Sequence, residues 1–150
     1  MKTLILTISL LIGFTTSAFS AELVNVSGAS GIAVQGYDPV AFFVDHKPTF
    51  GDPSISVEYK GATYLFASDK HKKMFEAKPH KYVPQFGGFC AYGAAVGALF
   101  PVETDTWQIH KGKLYLNLNP TILDVFNKDI DTNIAKAHKN WKELVRKNGK

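Results

Sequence analysis

Residues 55–77 read Ile-Ser-Val-Glu-Tyr-Lys-Gly-Ala-Thr-Tyr-Leu-Phe-Ala-Ser-Asp-Lys-His-Lys-Lys-Met-Phe-Glu-Ala, and their pattern decides the fold class. Ile55, Val57 and Tyr59 alternate with polar residues, Lys60-Gly61 turns the chain and Tyr64-Leu65-Phe66 returns, which spells a β-hairpin. Ser68 then serves as N-cap for a helix predicted from Asp69 to about Ala77, and Pro79 stops it. The same order recurs downstream. Trp107 and Ile109 form a strand, Lys111-Gly112 turns, and Leu114, Leu116 and Leu118 line one face of the return, with Tyr115 and Asn117 on the other. Asn119-Pro120 caps and opens a further helical run. In it Ile122, Val125, Phe126, Ile130, Ile134, Ala137, Trp141, Leu144 and Val145 follow at three- and four-residue spacing. Asp129 and Asp131-Thr132 divide that run into two helices. Hairpins mixed with helices, without regular strand–helix alternation, predict an α+β fold: a small antiparallel sheet built from hairpins and packed against C-terminal helices.

The chain has 150 residues, 45% of them hydrophobic and 20% charged, which suits one globular domain and excludes a disordered or collagenous chain. The net charge of +4 is spread along the sequence apart from a Lys-rich C-terminal end, so nucleic acid is not an expected partner. A single cysteine excludes an internal disulfide framework and the paired Cys-x-x-Cys clusters of a zinc ribbon. Residues 87–106, with Gly87-Gly88, Gly93 and Gly97, read as a loop-rich part of the same domain.

Met1-Lys2, the apolar run Thr3 to Phe14 and the small-residue stretch Thr15 to Ala21 have the layout of a secretory signal peptide. The apolar run falls short of the roughly 20 residues that a helix needs to cross a bilayer. The expectation is a signal peptide over residues 1–20, cleaved after Ser20 or Ala21. It leaves residues 21–150 as a single domain, exported to the periplasm or secreted, with no stable membrane anchor.

Three positions are candidates for chemistry. Cys90 lies among the glycines and aromatics of Gly87-Gly88-Phe89-Cys90-Ala91-Tyr92-Gly93; as a lone thiol in an oxidising compartment it is either buried, bound to something, or paired with another chain. His71 occupies the first turn of the predicted helix and shares the apolar stripe of Met74 and Phe75, where positive potential favours the neutral, metal-ligating imidazole. Asp38-Pro39 starts a helical turn with Asp38 as its cap, and the same carboxylate is a candidate to face a Cys–His pair. His46, His80, His110 and His138 read as solvated.

Taken together, Tyr37 to Phe43, Tyr59 to Ser68, Pro84-Gln85-Phe86-Gly87-Gly88-Phe89-Cys90-Ala91, Trp107 to Asn117, and Ile134, Ala137, Asn140 and Trp141 resemble the YHS domain family in its exported bacterial branch. The likeness runs from about Gly36 to Trp141. It implies a small metal-binding domain, since YHS modules are similar to cysteine-rich metal-binding modules and accompany copper-transport ATPases. Where shorter modules carry Asp-Pro-Val-Cys and Phe-Cys-Ser-x-x-Cys, this chain has Ala41, Ala67 and His71, so a site of three or four sulfurs cannot form. The resemblance leaves Cys90 and His71 as metal ligands for copper or zinc, with Asp38 or His80 as a further donor. The expected function is therefore that of an exported, non-enzymatic protein binding a metal ion or small ligand. The alternatives are a thiol-dependent enzyme or redox protein using Cys90, and a protein-interaction module without metal. Oligomeric state is open.

Overall fold

The computed structural model describes residues 22–149, so the signal peptide read from residues 1–20 lies outside the described residues. In chain order the elements are β1 (Val26–Ser27), β2 (Ile32–Ala33), α1 (Ala41–Val44), β3 (Asp52–Tyr59), β4 (Ala62–Phe66), α2 (Asp69–Ala77) and α3 (Pro79–Tyr82). They continue with α4 (Ala91–Ala95), β5 (Glu103–His110), β6 (Lys113–Asn117), α5 (Pro120–Lys128) and α6 (Ile130–Asn148). No helix among the described residues is long and apolar enough to cross a membrane.

Both predicted hairpins form. Lys60 and Gly61 take φ of 52° and 80°, and Lys111 and Gly112 take 48° and 73°. Two successive left-handed residues match the twist of the strands they join, and glycine at the second position lowers the cost. The hairpins belong to separate sheets: β5 pairs only with β6, while β3 and β4 join a four-stranded sheet of order β1-β2-β4-β3. Within it β2 runs parallel to β4 through Ile32 and Thr63, so the antiparallel expectation describes the hairpins and not this added edge.

Helix boundaries follow their caps. The Ser68 hydroxyl accepts from the His71 N–H at 3.2 Å and starts α2. The Asn119 side chain accepts from the Ile122 N–H at 2.9 Å and starts α5, with Pro120 in its first turn. The long apolar run breaks at Asp129 (φ −150°, ψ 66°). Part of the loop-rich segment, Ala91–Ala95, is a short helix whose carbonyls at Ala94 and Ala95 accept from the Asn140 side chain on α6 at 3.1 and 2.9 Å.

Strand β6 divides the interior. Leu114 and Leu116 enter a core with Phe42, Phe66 and Phe75, whereas Tyr115 enters a second core with Phe86, Phe126, Ala137 and Leu144. The predicted alternation therefore holds, but both faces are buried because helices cover the side opposite the first core. Phe75, fully buried, is the hub of the first core: the rings of Tyr59, Tyr64 and Phe66 lie 5.7, 5.1 and 5.1 Å from its own. Truncating such a residue removes both burial and ring contacts. Phe75→Ala should destabilise the fold by about 3–5 kcal/mol in urea unfolding, whereas Phe50→Ala, at a site 66% exposed, should cost less than about 1 kcal/mol.

Candidate functional site

The Asp38 side chain is fully buried, yet each of its oxygens is occupied. Oδ1 accepts from the backbone N–H groups of Val40 and Ala41 at 2.8 and 3.4 Å, which fixes the turn into α1 as the Asp-Pro signal predicts. Oδ2 accepts from the N–H of Ala67 at 2.8 Å and lies 2.7 Å from Nδ1 of His71. One carboxylate thus ties together α1, the end of β4 and the first turn of α2. A buried carboxylate surrounded by donors is stable only because those bonds replace its hydration.

The same contacts orient the imidazole. A carboxylate oxygen that accepts from Ala67 also accepts from His71, which places a ring proton on Nδ1, so that in the neutral tautomer Nε2 carries the lone pair. Nε2 lies 4.0 Å from Oδ2 of Asp45, a residue at the C-terminal end of α1 whose side chain is 36% exposed. The ring itself is 7% exposed. Carboxylate, imidazole and a half-open second carboxylate therefore lie in a row from core to surface. The sequence reading missed Asp45.

Cys90 occupies a different environment. The thiol is 1% exposed within the first core and donates to Oδ1 of Asn117 at 3.7 Å. Its sulfur accepts from the N–H of Gly93 at 3.3 Å, so the residue caps α4. Burial pushes the thiol above its ordinary pKa, opposed by the backbone N–H groups of Gly93, Leu118 and Tyr92. No hydrogen bond or ion pair among the described residues joins Cys90 to His71 or Asp38. The structure thus brings together His71 and Asp38 and adds Asp45, while Cys90 has its own partners.

Of the other histidines, His110 lies 2.9 Å from the exposed Asp131. His138 sets its ring edge against Phe86 at 5.0 Å. His80 lies exposed in α3. Of the positions where thiolates are absent, Ala41 is fully buried and Ala67 is exposed beside Asp38. Among the described residues no group of three or more His, Cys, Asp or Glu side chains is placed to hold a metal ion. A closed four-ligand centre therefore does not fit these residues.

Residues 40–86 match the YHS domain family model, a stretch containing α1, the first hairpin, α2 and α3. The match includes Asp45 and His71 and stops short of Cys90. No curated protein and no solved structure matches the chain.

Two outcomes test this geometry. Asp38→Ala would strand buried donors and should cost at least about 3 kcal/mol, and the double variant with His71→Ala should cost clearly less than the sum of the single variants. For Cys90, the raised folded-state pKa means its stabilising contribution is complete below the unfolded thiol value of about 8.5 and is lost as pH rises toward the folded value. Above about pH 8.5, the urea midpoint of wild type should fall more steeply with pH than that of Cys90→Ala.

Proposed function

We propose that this chain is an exported metal-binding protein in which His71 presents Nε2, with Asp45 beside it, to a borderline divalent or soft transition metal such as zinc or copper. One observation carries the reading: the Asp38 carboxylate holds Nδ1 at 2.7 Å from the buried side, the arrangement that orients a ligating histidine and raises its basicity. The 4.0 Å between Nε2 and the Asp45 oxygen is less than two ligand bonds of about 2.1 Å laid end to end, so a single ion can touch both. Imidazole with carboxylate suits zinc or copper better than calcium or magnesium, which prefer oxygen alone. The YHS domain over residues 40–86 supports the metal-binding class. The layout of residues 1–20 supports export.

Such a site supplies two protein donors and leaves the remaining positions to water or to a partner's groups. It would therefore exchange its metal readily, in keeping with transfer or sensing more than with a structural role. Cys90 stands outside this site because its thiol is neutral, buried and already bonded to Asn117 and Gly93. The same facts weigh against a nucleophilic or redox-catalytic cysteine, which needs an accessible thiolate.

Isothermal titration of purified protein with zinc, and separately with copper under reducing conditions, should give one site. His71→Ala should abolish it, Asp38→Asn should weaken it about 10–100-fold, and Cys90→Ser should leave it unchanged. Loss of binding in Cys90→Ser would move the site to the thiol, and no binding by wild type at about 1 mM metal would end the reading. Expression with the native leader should yield a chain beginning at Ala21 or Glu22 by intact mass.

A further inference from the structure

A second concavity, of about 550 Å³, shares no residue with the His71 site. It lies between the first hairpin, the turn at Gln85–Gly88 and the last turns of α6. Its size is that of a cavity for a small organic molecule. Tyr59, Tyr64, Phe86 and Trp141 give it aromatic walls, and Lys60 and Lys142 stand at its rim.

Its walls are held in place by unusual backbone. Phe86 adopts φ 53°, ψ 41°, a left-handed conformation that costs a bulky side chain of order 1–3 kcal/mol and recurs at ligand sites. That turn aims the Phe86 ring at Trp141, with centroids 5.7 Å apart. Gly87 is required next to it, since a Cβ there would meet the Leu23 carbonyl oxygen 2.0 Å away, and Leu23 belongs to the cavity wall. Tyr64 is 3% exposed, and burial pushes its phenol well above the ordinary value, so it remains a neutral donor.

Charge selects the occupant. Glu22, the one carboxylate on the wall, is already paired with Lys60 at 2.5 Å. Lys142 has no ion-pair partner among the described residues, which leaves a surplus cation above an aromatic floor. We infer that this cavity binds a small amphipathic anion, an aromatic body bearing one carboxylate, with its rings between Trp141 and the tyrosines and its charge at Lys142.

The probe is 2-naphthoate, compared with its neutral amide, 2-naphthamide, both titrated calorimetrically into the purified protein without added metal. The expected result is that the carboxylate binds at least about tenfold more tightly than the amide. Lys142→Glu, on an exposed helical position that leaves the fold intact, should erase that preference while sparing amide binding. Amide-proton shifts should centre on residues 59–64, 85–87 and 138–145. Equal affinity for the two probes, no binding by either at about 1 mM, or shifts centred elsewhere would each overturn the assignment. Because the assay contains no metal, and because His71→Ala should leave naphthoate binding unchanged, its failure is separable from failure of the metal site.

Discussion

The Asp38 carboxylate is the constraint from which the N-terminal half of the domain is arranged. It is an acceptor in a place without water, so it must be given donors by the chain around it. Those donors come from α1, the end of β4 and α2. The first hairpin, its following helix and the Asp-Pro turn therefore share one polar anchor inside an otherwise aromatic core. The imidazole gains its orientation from the same bonds, which is why the site and the fold cannot be separated here. Asp45 reaches the imidazole because the turn capped by Asp38 is a single helical turn long.

Strand β6 has the complementary role in the C-terminal half. A strand in a two-stranded sheet ordinarily keeps one face in solvent. Here α5 and α6 cover that face, and Tyr115 packs on Phe126 at 5.9 Å while Leu114 and Leu116 face the first core. Cys90, bridged to Leu116 beside this strand, sits where the two cores meet. Its burial follows from that position, and its thiol serves as a helix cap in a place with little room for a larger group.

Much of the architecture was legible because local chemistry and global packing agree. Both hairpins, the Ser68 and Asn119 caps and the break at Asp129 could be read from residue types at fixed offsets. The strands β1 and β2 could not: each has two residues, too few for any period, and the pairing of β2 with β4 depends on residues some thirty positions away. The site was half legible. His71 on the inward stripe and Asp38 as a cap were both visible, and the structure joins them. Nothing in spacing alone could tell that Cys90 turns into the interior instead of toward them, since its neighbourhood of glycines allows either course. Asp45 gave no motif at all, because its place beside the ring depends on how α1 packs.

The N-terminal segment carries a temporal implication. Residues 25–33 precede their partners in the chain: Asn25 bonds to the Gly87 carbonyl at 2.8 Å and to that of Gly88 at 3.1 Å, and Ile32 bridges to Thr63. Those partners are synthesised later, and loop closure over some sixty residues must precede the docking of Asn25. Until β2 docks, β4 offers an unpaired edge, a surface open to wrong pairing.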